Sequence, residues 1–174
     1  MKLEPPLQQY VLHCGEMGSK WGINRSVAQI HALLFVSGRP LTAEEIVETL
    51  GIARSNVGTG LKELQGWGLL HTTQKLGDRR DFFESFSDPW ESFRAIIRTR
   101  KTRELEPSLR TLRECAQQAR AKSSKVPDDV ADRLVAMQEF VELMDNWGER
   151  ASKLSAKNLR RLSQLGDFVF RLVE

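Results

Sequence analysis

Arg54, Ser55, Asn56, Thr59 and Lys62 lie close together in the chain, and Ser55, Thr59 and Lys62 recur at helical spacing. Two cations with three short hydrogen-bonding side chains form a donor set that can reach base edges and phosphates from the start of a helix. A second cluster, Lys75, Arg79 and Arg80, brackets Gly77-Asp78. Cations at the tip of a tight turn can meet a nucleic-acid backbone or minor groove. Other chemistries find no support. There is no phosphate-cradling Gly-rich loop, no nucleophile–base motif and no carboxylate pair in an apolar setting, so neither an enzyme nor a cofactor is expected. His13, His31 and His71 are far apart and lack metal-ligand spacing, so no metal is expected. Cys14 and Cys115 cannot build a disulfide framework, and Cys14 reads as a small core residue.

The elements that must carry these residues follow from apolar spacing and capping signals. Leu7, Val11, Cys14, Gly18 and Trp21 form one stripe on a first helix, which Gly22 can end. Asn24 can cap a second helix that presents Val27, Ile30 and Leu34 and stops near Ser37-Gly38. Thr42-Ala43-Glu44-Glu45 is a capping box, opening a short helix with Ile46, Val47 and Leu50 inward and Gly51 as its stop. A further short helix follows from Arg54 to Gln65, with Val57, Leu61 and Leu64 inward. Two short helices joined by a tight Gly-led turn outline a helix-turn-helix. The period then becomes strand-like over 69–75 and 81–86, around Leu76-Gly77-Asp78-Arg79-Arg80, which predicts a β-hairpin with a basic tip.

Asp88-Pro89-Trp90-Glu91 restarts helix, with Asp88 as cap and Pro89 at the first helical position. Beyond it Leu105, Leu109, Leu112, Ala116 and Ala119 form one seam, and Val130, Leu134, Met137, Val141 and Met144 another. Ser155 opens a last helix with Leu159, Leu162, Leu165, Val169 and Leu172. The expected fold is therefore mainly α: a winged helix-turn-helix domain over 1–87, its wing a two-stranded hairpin, and a helical dimerisation region over 88–174, to which the resemblance given below adds effector binding. Three apolar seams are more than one thin bundle can hide, and a twofold dimer would also pair the recognition helices.

Charge sharpens this reading. The chain of 174 residues carries a formal net charge of only +3. Residues 54–80 hold five basic against two acidic residues, and 93–125 ten against three. Residues 128–149 reverse the sign, with seven acidic residues against Arg133 alone, so the basic and acidic stretches are antiparallel candidates for pairing. No apolar run is long enough for a membrane span, and Glu4-Pro5-Pro6 stands where a signal peptide needs an apolar core, so a cytoplasmic protein is expected.

A basic helix face is ordinarily only a solvated surface. Here the order of elements raises it above that, and the residues that carry the order also resemble a known family. Trp21-Gly22-Ile23-Asn24-Arg25, Leu41 through Ile46, Gly51 through Val57, Leu61 through Leu69 and Gly77-Asp78-Arg79-Arg80 are similar to MarR-type transcriptional regulators. Trp90-Glu91-Ser92-Phe93-Arg94 and Arg100-Lys101-Thr102-Arg103-Glu104 extend the likeness to their GbsR-like branch. Val47 departs from the pattern, standing where a close helix crossing ordinarily has Ala. The resemblance implies a sequence-specific regulator, a repressor in this reading. It would bind double-stranded DNA as a homodimer, with Arg54, Ser55, Asn56, Thr59 and Lys62 on the recognition helix and Lys75, Arg79 and Arg80 on the wing. It also implies a small effector such as an osmolyte or choline-like compound, for which Trp67, Trp90 and Trp147 are the candidate cation–π partners. The competing class is a non-catalytic winged-helix module that docks on protein.

Overall fold

Helix boundaries in the first half of the chain have local causes. In the computed structural model, which describes residues 2–155 together with Lys157, Asn158, Arg161 and Leu165, α1 spans Pro5–Lys20 and α2 spans Arg25–Val36. Pro5 occupies the first turn of α1, where its missing N–H costs nothing. Gly22 takes a φ of 76° in the link, a left-handed conformation that favours glycine, and Asn24 caps α2 by accepting the Ser26 N–H at 2.8 Å. The expectation that Trp21 and Leu7 share a buried stripe is corrected. Trp21 is 67% exposed just past the end of α1, and Leu7 is exposed as well. The buried face of α1 is Val11, Gly15 and Gly18, because α1 crosses α2 closely at its glycines.

Pro40 leads into a two-residue strand, β1 (Leu41–Thr42), and α3 (Ala43–Leu50) begins at once. Thr42 Oγ1 accepts the Glu45 N–H at 3.3 Å, and a Glu45 carboxylate oxygen accepts the Thr42 N–H at 2.8 Å, closing the capping box. Gly51, at φ 64°, ends α3. Ile52 and Ala53 complete the turn into α4 (Arg54–Gly66), followed by β2 (Leu70–Gln74) and β3 (Asp81–Ser85). The sheet has three strands rather than two, ordered β1-β3-β2 and antiparallel throughout. Leu41 pairs with Phe83 and Thr42 with Phe82. β1 is too short to show a period, and its residues read more strongly as a helix cap.

Two compact units divide the chain, one ending at Ile96 and the next starting at Ile97. The first has a single core in which Ile30, Leu33, Leu41, Ile46, Val57, Leu64 and Leu69 are all at most 2% exposed. Helices α2, α3 and α4 and the sheet all contribute to it.

α5 (Pro89–Arg100) is followed by a π-helical turn, Lys101–Leu105, then α6 (Glu106–Ala119) and α7 (Asp128–Lys153). Asp88 caps α5, accepting the Trp90 N–H at 3.0 Å. Pro107 accounts for the π turn. It has no N–H to give the carbonyl one turn back, and its ring crowds that carbonyl, so the helix widens just before it. The α6 seam buries Leu109, Ala116 and Ala119 against α7. On α7 the packed stripe differs from the expected one. Ala131 is buried and Leu134 and Val141 are half-buried, while Val130, Met137 and Met144 are exposed. The antiparallel charge pairing does form, as Arg120–Asp132, Arg113–Glu142 at 2.7 Å and Lys101–Asp145 at 2.9 Å. The expected helix from Ser155, with Leu159, Leu162, Val169 and Leu172, lies largely outside the described residues.

Candidate nucleic-acid interface

α4 is amphipathic by residue size as much as by polarity. Val57, Gly60, Leu61 and Leu64 are buried against α2 and α3, which leaves Arg54, Ser55, Asn56, Thr59 and Lys62 exposed. Gly60 permits the close approach to α2, for a Cβ there would stand 2.6 Å from Ile30 Cδ1. The residue before α4 is Ala53, which offers no side-chain cap, and the first turn contains no acid. The free amides of that turn are therefore open to water or an anion. Among the described residues, Ser55, Asn56, Thr59 and Lys62 engage no side-chain partner. Arg54 does: its Nη2 lies 2.8 Å from Glu44 Oε1 on α3.

The wing loop runs from Lys75 to Arg80 between β2 and β3. Asp78 donates its N–H to the Lys75 carbonyl at 3.0 Å, and Gly77 sits at φ 83°, in left-handed space. Asp78 also organises the tip through its side chain. Its carboxylate accepts the Arg80 backbone N–H at 3.0 Å and the Arg80 guanidinium at 2.6 Å. Those contacts hold the Asp78 carboxyl near a pKa of about 2, with the Arg80 side-chain hydrogen bond the largest cause.

The three wing cations thus have different environments. Arg80 is tied to Asp78. Lys75 Nζ lies 4.2 Å from the centroid of the buried Phe82 ring. Arg79 is exposed, with no carboxylate in ion-pair reach among the described residues. Leu76 is fully exposed beside them at the tip. Wing and helix are linked, since Gln65 Nε2 donates to Thr72 Oγ1 at 2.8 Å. On the far side His31 Nε2 and Ser85 Oγ lie 3.2 Å apart, tying α2 to β3, and burial lowers the His31 pKa.

The candidate effector aromatics have separate surroundings. Trp67 packs against the core of the first unit, and Trp90 meets Phe93 edge-to-face at 6.2 Å. Trp147 lies on α7, 62% exposed. Cys14 is a free thiol packed against the core, and Cys115 is free and exposed. Among the described residues no three His, Cys, Asp or Glu side chains are grouped to hold a metal, and no helix is long and apolar enough to cross a membrane.

Comparison with known proteins bears on this arrangement. Residues 21–81 match the model of the MarR family. That match takes in α2, the capped α3, α4, β2 and the wing loop, ends at Asp81, the first residue of β3, and leaves out the helices from Pro89 onward. A crystal structure of a transcriptional regulator is 19% identical, with 92% of this chain and 99% of that chain covered at a TM-score of 0.67. The transcriptional regulator Tm0710 from Thermotoga maritima is also 19% identical, covering 81% of this chain and 90% of that one at a TM-score of 0.39. No curated protein matches the sequence. Residues 21–81 are accordingly similar in sequence to the MarR family, and the chain shares its fold with a structure described as a transcriptional regulator.

Proposed function

We propose that the protein is a sequence-specific repressor that binds a palindromic operator as a homodimer, reading bases with α4 and gripping the backbone with the wing. The observation that carries this reading is the outer face of α4, where exposed donors without intramolecular side-chain partners follow an uncapped helix start. Side chains held this way lose no internal bond on meeting DNA. In the proposal Asn56 reads a base edge, Ser55 and Thr59 contact bases or phosphates, and Lys62 and Arg79 neutralise phosphates.

The dimer has its own support. Met137, Phe140, Leu143, Met144 and Trp147 make an exposed apolar stripe on one face of α7, each between 46% and 62% exposed. A stripe of this kind on a helix already packed on its other side invites a second copy, and a twofold dimer would present two recognition helices one DNA turn apart.

The test is a mobility-shift titration of the full chain on the DNA upstream of its own gene and on random duplex, across a range of salt. Asn56→Ala should lose preference for the specific duplex while keeping most of its general affinity. Arg79→Ala should weaken both and lower the salt slope by about 0.9, the contribution of one phosphate contact. Equal losses on both duplexes for Asn56→Ala would refute base reading. An unchanged slope for Arg79→Ala would refute the wing contact.

A further inference from the structure

α3 opens with two carboxylates that do different work. Glu45 closes the capping box and accepts Arg39 Nη2 at 2.7 Å. Glu44 takes no part in that cap. It reaches instead to Arg54 at the start of α4, and Arg54 is the one member of the exposed α4 donor set held in an ion pair among the described residues. Both partners remain accessible, with the Arg54 side chain 76% and the Glu44 side chain 40% exposed. The contact is thus made at the surface where DNA would arrive. Glu48, one turn further along α3, is exposed and has no ion pair among the described residues.

We propose that Glu44 is a specificity-determining positioning residue, an internal counter-ion that withholds Arg54 from non-specific phosphates. The inference rests on the DNA-binding reading above. An unpaired arginine that meets a phosphate releases most of one condensed counterion from the duplex, about 0.9 in the salt slope. Arg54 must first leave Glu44. The stranded carboxylate then gathers a cation from solution, and the ion release nearly cancels. Arg54 consequently adds little to binding on random DNA. A guanine edge offers two acceptors in the geometry of a guanidinium fork, and there the exchange is favourable. Exposed ion pairs are weak, so the carboxylate filters without locking the arginine away.

Glu44→Gln in the full chain tests this, measured on random-sequence duplex and on a duplex enriched from a random pool by the unaltered protein. The variant should bind random duplex about two- to fivefold more tightly, the range that an exposed pair supports. Its salt slope should steepen by about 0.9, and its preference for the enriched duplex should fall. Glu48→Gln removes the same formal charge without releasing an arginine and should leave the slope unchanged. Glu44→Asp should keep the behaviour of the unaltered protein. In an Arg54→Ala background, Glu44→Gln should have no further effect. Equal effects from Glu44→Gln and Glu48→Gln, or a Glu44→Gln effect that survives without Arg54, would overturn the inference while leaving the DNA-binding reading intact. Failure of the unaltered chain to bind any duplex would overturn both.

Discussion

Gly58 and Gly60 lie two positions apart on α4, and replacing each with alanine separates packing from helix propensity. Either substitution removes the conformational freedom of an interior helical glycine, a gain of roughly 0.5–1 kcal/mol. The surroundings differ sharply. A Cβ on Gly58 meets nothing within 4 Å. A Cβ on Gly60 would lie 2.6 Å from Ile30 Cδ1 and 3.6 Å from Val27 Cγ2, and Ile30, wholly buried, would have to shift. Overpacking of this kind costs about 1–3 kcal/mol. Propensity cancels between the two variants, so Gly60→Ala should be less stable than Gly58→Ala by about that same 1–3 kcal/mol. Urea denaturation followed by circular dichroism measures the difference directly from the midpoints, provided the slopes agree. In heating experiments the gap should appear as several degrees per kcal/mol, with Gly58→Ala at or above the parent. Because the strain pushes α4 away from α2, Gly60→Ala should also weaken DNA binding through a misplaced recognition helix. Equal midpoints for the two variants would refute the close crossing of α2 and α4.

Other predictions concern the cap and the dimer. Arg39 and the Thr42 N–H hold the Glu45 carboxyl at a pKa of about 2, below its usual 4.5. A carboxyl depressed by folding stabilises fully above about pH 4.5 and loses that contribution as the pH falls toward 2. Glu45→Gln should therefore lower stability at pH 7 and flatten its decline between pH 4.5 and 2, as read from urea midpoints; an identical acid slope in variant and parent would contradict the assignment. Thr42→Ala should cost about 1 kcal/mol by the same assay, and no loss would show that the cap contributes nothing. Replacing Met137 and Phe140 on α7 with glutamate should shift sedimentation at micromolar concentration from dimer to monomer while leaving helix content unchanged. A dimer that persists would place the interface elsewhere.

Legibility varied along the chain for identifiable reasons. The capping box at Thr42 and Glu45, the stop at Gly51, the inward set of α4 and the turn at Gly77-Asp78 all arise from contacts within a few residues, and sequence alone displays them. On α1 the expected stripe holds at Val11 and Gly18 but fails at its large end residues, Leu7 and Trp21. Its packed face is small instead, since Gly18 approaches Ala28 so closely that an added Cβ would stand 2.5 Å from it. On α7 two faces carry apolar residues at helical spacing, and periodicity could not say which one meets α6.

By itself the sequence determined the order of the helices and the two wing strands, the caps at Asn24 and Thr42, the basic wing and the donor set on α4, because local hydrogen bonding and side-chain period specify these within each segment, whereas β1 is too short to carry a period. Tertiary structure alone decided which of those donors are free. Arg54 meets Glu44 across two helices, while Arg79 stays open beside an Arg80 already held by Asp78. A cation's availability depends on distances to carboxylates, and the distance between residues of different helices is created only when those helices pack.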